Sequence, residues 1–157
     1  MSRRDAIRMS EDEVRDFLQQ ERTVICATNG VRGWPHLMPL WYLVRETGPD
    51  GDPELWAWTF AKSQKARNLE RDERATLQVE TGEEYDQLRG VMLECEVVVH
   101  GDVDRVRDFG LELYARYGEV DEGVREMVDK QAPKRVVLQF VERRRATWDH
   151  RKLSGTY

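Results

Sequence analysis

The most constraining feature of this chain is a set of six extended apolar runs. They are Thr23–Thr28, Trp34–Arg45, Glu54–Phe60, Arg74–Glu80, Val91–Gly101 and Arg135–Val141, the last continuing through Arg143 to Trp148. The first three are joined by the turn formers Asn29-Gly30 and Gly48-Pro49-Asp50-Gly51-Asp52-Pro53, and such short connections favour antiparallel pairing. Glu54–Phe60 alternates Leu55, Ala57 and Thr59 with Trp56, Trp58 and Phe60, the period of a strand. Pro35 and Pro39 lie inside the second run. Proline cannot donate to a ladder, so these positions belong at an edge, a bulge or a strand start. Six strands with few helices suit a mainly β fold that closes, or nearly closes, into a barrel, because closure removes exposed edges.

The helices are short and separately signalled. Ser10-Glu11-Asp12-Glu13 is a capping box, followed by Val14, Phe17 and Leu18 at helical spacing. Ser63–Arg71 reads as a short polar helix. Val106, Phe109, Leu113 and Tyr117 mark another, and Val124, Met127 and Val128 one that ends before Pro133. No repeat or linker divides the chain, so one domain is expected over residues 1–157.

Charge and composition remove several function classes. No apolar stretch approaches the roughly 20 residues that span a bilayer. The opening Met1-Ser2-Arg3-Arg4-Asp5 has no apolar signal core, so a cytoplasmic location is expected. A net charge of -5 argues against a general nucleic-acid binder. Lys62, Lys65, Arg67 and Arg71 nevertheless cluster, and Lys134 to Lys152 holds seven Lys/Arg against two acids. Local cations on an acidic protein suit a small anionic ligand. Cys26 and Cys95 read as buried thiols, and His36, His100 and His150 show no metal-ligand spacing, so no metal is expected.

Three stretches could carry chemistry. In Leu55–Leu69 a strand ends and a helix opens with Ser63 as its cap, flanked by Lys62 and Lys65. A helix N-terminus offers free N–H donors to phosphate, and the hydroxyl and two ammoniums add to it. The same residues also describe an ordinary solvated helix. In His36-Leu37-Met38-Pro39-Leu40-Trp41-Tyr42 a proline-interrupted strand can present backbone groups and Trp41 to a planar ring, or Trp41 and Tyr42 can be core or interface aromatics. Trp148-Asp149-His150-Arg151-Lys152 joins an aromatic to two cations.

Together these stretches resemble the pyridoxamine-phosphate-oxidase-like split-barrel family, and within it the actinobacterial deazaflavin (coenzyme F420)-dependent oxidoreductases. Thr59-Phe60-Ala61-Lys62-Ser63-Gln64-Lys65-Ala66-Arg67-Asn68-Leu69-Glu70-Arg71-Asp72 looks like the family's strand-to-helix phosphate motif. Pro35–Trp41 looks like its ring-binding strand, and Tyr85-Asp86-Gln87-Leu88-Arg89-Gly90-Val91 like the opening of its next long strand.

The resemblance implies a six-stranded split β-barrel and a homodimer with cofactor sites at the subunit interface. It implies that Lys62, Ser63 and Lys65 hold a phosphate with Asn68 nearby, and that Met38, Pro39, Leu40 and Trp41 lie along the ring. Trp58 and Thr59 would sit beneath the ring, and Trp148 would be a C-terminal aromatic reaching the site. Flavin-binding relatives carry an arginine early in the second strand. Here that strand opens Trp34-Pro35-His36, with Arg32 just outside it. This tilts the expected cofactor toward F420 and away from flavin mononucleotide (FMN), with Arg67, Arg71, Arg151 and Lys152 facing the deazaflavin's acidic tail. The implied activity is hydride transfer from reduced F420 to an unsaturated small-molecule substrate. An FMN oxidase or reductase and a non-catalytic flavin- or haem-binding protein are the alternatives. Tyr42, Tyr85 and His36 stand as unranked proton donors, and no catalytic residue is assigned. The aromatic load of Trp34, Trp41, Tyr42, Trp56, Trp58 and Phe60 exceeds what so small a barrel can bury, which also points to a homodimer.

Overall fold

A computed structural model describes residues 2–153. One antiparallel sheet forms from β1 (Val24–Asn29), β2 (Pro35–Leu40), β3 (Leu43–Arg45), β4 (Glu54–Phe60), β5 (Arg74–Thr81), β6 (Arg89–His100) and β7 (Arg135–Asp149), in the order β2-β1-β5-β6-β7-β4-β3. The helices are α1 (Arg3–Ala6), α2 (Glu11–Gln20), α3 (Gln64–Arg71), α4 (Val103–Tyr117) and α5 (Glu122–Gln131). No helix among the described residues is long and apolar enough to cross a membrane.

The sheet has seven strands where six were expected. The difference lies at Trp41–Tyr42, which break the expected Trp34–Arg45 run into β2 and β3. Pro39 donates nothing to a ladder, and the backbone of Tyr42 is engaged elsewhere. Its N–H donates to the Tyr117 hydroxyl at 3.0 Å and its carbonyl accepts from the Arg116 guanidinium. The break lets β2 pair with β1 and β3 with β4. The two edges of the sheet are thus joined by two residues of chain, and the sheet curls into a split barrel. Both prolines of β2 sit on an edge strand, as their missing donors require.

Alternation along β4 sorts two cores. Leu55 and Ala57 face the barrel interior with Val24, Cys26, Leu77, Leu138 and Phe140, joined there by Phe17 and Leu18 of the capped α2. Trp56 and Trp58 face outward and are covered by Val106, Phe109 and Leu113 of α4 and Val128 of α5. Half of the aromatic load is therefore met within one chain: Tyr42, Trp56 and Trp58 are buried, whereas Trp34 is 75% exposed, Trp41 and Phe60 each 45%.

Gly110 is where α4 meets this outer core. A Cβ there would lie 2.5 Å from Trp58 Cζ3 and 3.0 Å from Val128 Cγ1. Gly110→Ala gains up to about 1 kcal/mol of helix propensity but overpacks a buried indole, a cost of roughly 1–3 kcal/mol. The expected result is a melting temperature lower by a few degrees, read by circular dichroism. A higher one would mean that the indole gives way freely.

Candidate functional site

The candidate site is built where β4 ends and α3 begins. Ser63 caps α3, its Oγ accepting from the Ala66 N–H at 3.1 Å, and it lies 3.2 Å from Thr59 Oγ1. Lys62 precedes it, exposed to solvent. α3 packs Lys65, Ala66, Asn68 and Leu69 against the barrel, residues that share one helix face.

Lys65 therefore departs from the solvated lysine that its polar surroundings in sequence suggest. It is 5% exposed, and its Nζ makes one hydrogen bond, to Thr59 Oγ1 at 3.4 Å. Among the described residues no carboxylate forms an ion pair with Lys65, with Lys62, or with Lys134 and Arg135 across the turn. Burial holds the Lys65 ammonium below its ordinary pKa, and the nearby Arg135 guanidinium lowers it further. The same burial pushes the neighbouring Cys26 thiol up to about 12, so that thiol stays protonated and supplies no counter-charge. A desolvated cation without an anion is an unstable arrangement that an anionic ligand would relieve.

The other expected residues divide between faces. Met38 pairs with Cys26 across the β1–β2 ladder, so Met38 and Lys65 both flank that cysteine. Leu40 packs toward the barrel core, whereas Pro39, on the opposite face of β2, is exposed. Trp41 stacks on Tyr117, with centroids 4.1 Å apart and planes at 8°, and meets Tyr114 edge-on. Trp58 also meets Tyr114, but on the face of β4 opposite Thr59, buried under α4. Asn68 is fully buried and already satisfied: its Nδ2 donates to Thr28 Oγ1 at 3.0 Å and its Oδ1 accepts from Gln64 at 2.8 Å. It ties α3 to β1. Trp148 lies over Gly90 near the end of β7, while Arg135 opens that strand beside Phe60. Trp148 and Arg135 thus lie toward opposite ends of the same strand.

Three of the four cations expected to face an acidic tail have protein partners. Arg151 holds Asp149 through two bonds of 2.9 and 2.7 Å, Lys152 holds Glu13 at 2.6 Å, and Arg71 donates to the Asn29 carbonyl at 2.9 Å. Arg67 is exposed. Among the proton-donor candidates, Tyr42 is fully buried, its hydroxyl bonded to the Leu18 carbonyl at 2.7 Å and pushed by burial up to about 12. It has no path to a ligand. His36 instead lines a groove of about 240 Å³ between the β1–β2 turn and α3, with Arg32, Trp34, Gln64 and Asn68. Its Nδ1 is buried without a hydrogen-bond partner among the described residues.

Sequence reasoning missed Arg135. The strand it opens was legible, but the register that sets it opposite Phe60 was not. The run Pro133-Lys134-Arg135 before an apolar strand was the available signal.

Comparisons with known proteins agree with this architecture. The chain is similar to the conserved hypothetical protein Rv2991 from Mycobacterium tuberculosis, at 40% identity over 100% of this chain and 95% of that one, with a TM-score of 0.83. It shares its fold with an F420 reductase (20% identity, 83% of this chain and 94% of that one, TM-score 0.65). It also shares it with the heme storage protein HutZ from Vibrio cholerae (16% identity, 85% and 90%, TM-score 0.60). No curated protein matches the chain. The family model for pyridoxamine 5'-phosphate oxidase matches residues 10–149. On that match, and on the 40% identity over its whole length, the chain belongs to the pyridoxamine 5'-phosphate oxidase family.

Proposed function

We propose that this chain is an oxidoreductase that holds coenzyme F420 by its phosphate at the Lys62–Lys65 turn and acts on a small unsaturated substrate. The observation that carries the reading is Lys65, a buried ammonium with no carboxylate partner among the described residues, at the opening of a Ser63-capped helix. Lys62 and the Ser63 hydroxyl lie beside it, and Met38 and Trp41 are exposed on the strand expected to lie along the ring. The cofactor, when bound, supplies the hydride. The protein's part is to anchor the anion, fix the ring and exclude water. His36, with an unpartnered ring nitrogen beside the groove, is the residue we assign to hold a proton there. In this reading the site lies between two copies of the chain, and Trp34, Trp41 and Phe60, which stay exposed on one copy, are why it includes a homodimer.

One observation favours FMN as a second reading. With Arg71, Arg151 and Lys152 engaged in the protein, few cations remain for an acidic tail. Titrating F420 and FMN side by side at low and high salt separates the two. We expect F420 to bind several-fold more tightly at low salt, through exposed pairs worth about 0.2–1 kcal/mol each that salt screens. A preference for FMN that salt does not change would install the second reading. Binding of neither would overturn both.

A further inference from the structure

The groove between the β1–β2 turn and α3 is built from two fixed walls. On one side the Gly30 N–H donates to the Trp34 carbonyl at 3.1 Å and closes the turn, with Gly33 at a φ of +81° that suits glycine. This turn presents Arg32 and Trp34 to the groove. On the other side Gln64 donates to Asn68 Oδ1 at 2.8 Å, and Asn68 donates to Thr28 Oγ1 at 3.0 Å. Arg71 ties the same helix to the Asn29 carbonyl at 2.9 Å. The space between the walls, about 240 Å³, suits a single-ring molecule better than a drug-sized one.

Three groups in the groove lack partners. Arg32 forms no ion pair among the described residues, and no carboxylate is among those that line the groove. His36 Nδ1 is buried with no hydrogen bond among the described residues. Buried polar atoms of this kind are few in folded proteins and costly, so each calls for a partner from outside the chain. Trp34 leaves 75% of its surface in water. A guanidinium, an unpaired imidazole nitrogen and an open indole on one small concave surface complement a flat molecule that carries an anion. The guanidinium fork matches a carboxylate, and the indole offers its face to a conjugated plane.

We propose that this groove seats the substrate and that the substrate is a planar conjugated carboxylate. Its carboxylate spans Arg32 and His36 Nδ1, which donates to it, and its plane lies against Trp34. The inference rests on the oxidoreductase reading and names the class of unsaturated substrate which that reading leaves open. It separates two anion sites on the chain: the Lys62–Lys65 turn for the cofactor, and the β1–β2 turn for the substrate.

The test uses trans-cinnamate as probe, beside cinnamamide, which keeps the conjugated plane and lacks the charge. Both are titrated into the full-length, cofactor-free protein by calorimetry, and the imidazole nitrogens of His36 are followed by NMR. Cinnamate is expected to bind about fivefold more tightly than cinnamamide at low salt, the upper range of one exposed ion pair, and to move the His36 Nδ1 resonance. Arg32→Gln should remove that preference and leave cinnamamide unchanged. Trp34→Ala should weaken both probes alike, by about two- to tenfold. Arg32 and Trp34 are exposed, so neither change disturbs the core. In Lys65→Met the preference for cinnamate should persist. Equal binding of the two probes by the parent, no binding of either at millimolar concentration, or a His36 resonance that stays in place would each overturn the inference. So would a loss in Lys65→Met equal to that in Arg32→Gln, which would put the acid at the Lys62–Lys65 turn. A protein that takes cinnamate as expected but neither F420 nor FMN would overturn the oxidoreductase reading, and the substrate role with it, while leaving the groove as a site for planar acids.

Discussion

Lys65→Met is expected to make the ligand-free protein more stable and its cofactor binding weaker. Methionine matches the length of the lysine stem and removes a charge that is buried without a counter-ion among the described residues. Relieving that desolvation should add about 1–3 kcal/mol. At roughly 2–4 °C per kcal/mol for a chain of this size, the melting temperature should rise by several degrees. Loss of the ammonium should weaken a phosphate-bearing cofactor by about ten- to a hundredfold. The pH dependence has a definite sign. The Lys65 pKa is lowered in the folded protein from its ordinary 10.5. Between that lowered value and 10.5 the unfolded chain binds a proton that the folded one does not, so parental stability rises with pH through this window. The advantage of Lys65→Met is therefore greatest below the window and shrinks across it. Thermal melts of both proteins at neutral and alkaline pH check this. A methionine variant less stable at neutral pH would mean that the fold satisfies the ammonium after all.

Arg116→Met should produce the largest loss of stability of any single change considered. The Arg116 guanidinium donates to the carbonyls of Leu18, Gln19 and Glu21 at the end of α2 and to the carbonyl of Tyr42 at the β2–β3 break. It also lies over the Tyr42 ring, 4.5 Å from its centroid. Hydrogen bonds to a charged group contribute about 1.5–3 kcal/mol each and are not additive. A total cost of about 3–5 kcal/mol and a fall in melting temperature on the order of 10 °C are expected. The damage should reach the site, because Trp41 stacks on Tyr117, whose hydroxyl is held in the same cluster. A loss below about 1 kcal/mol in urea titration would show that water replaces the guanidinium at these carbonyls.

What could be read in the sequence followed local rules. The capping box at Ser10, the alternation of β4 and the prolines of β2 each state a local backbone preference, and each appears in the structure as expected. Non-local effects were hidden. The break at Tyr42 depends on Arg116 and Tyr117, 74 and 75 residues further along the chain. The burial of Lys65 depends on which face of an otherwise polar helix meets the barrel, and composition suggests the opposite. Period-two alternation separates Trp58 from Thr59 as soon as both are placed on one strand, yet the family motif names them together. Lys152 reads as a free cation because Glu13 becomes its partner only when β7 and α2 come together, whereas the partner of Arg151 is Asp149, two residues away in the sequence.

The proposed function stands or falls on an anionic cofactor group at Lys65. A crystal structure of the protein with F420, or with FMN if FMN binds more tightly, tests it most directly. A phosphate oxygen is expected within about 4 Å of Lys65 Nζ, the reach of an ion pair, with Ser63 on another of its oxygens. A phosphate bound elsewhere on the chain, with the Lys65 ammonium still bonded only to Thr59, would contradict it.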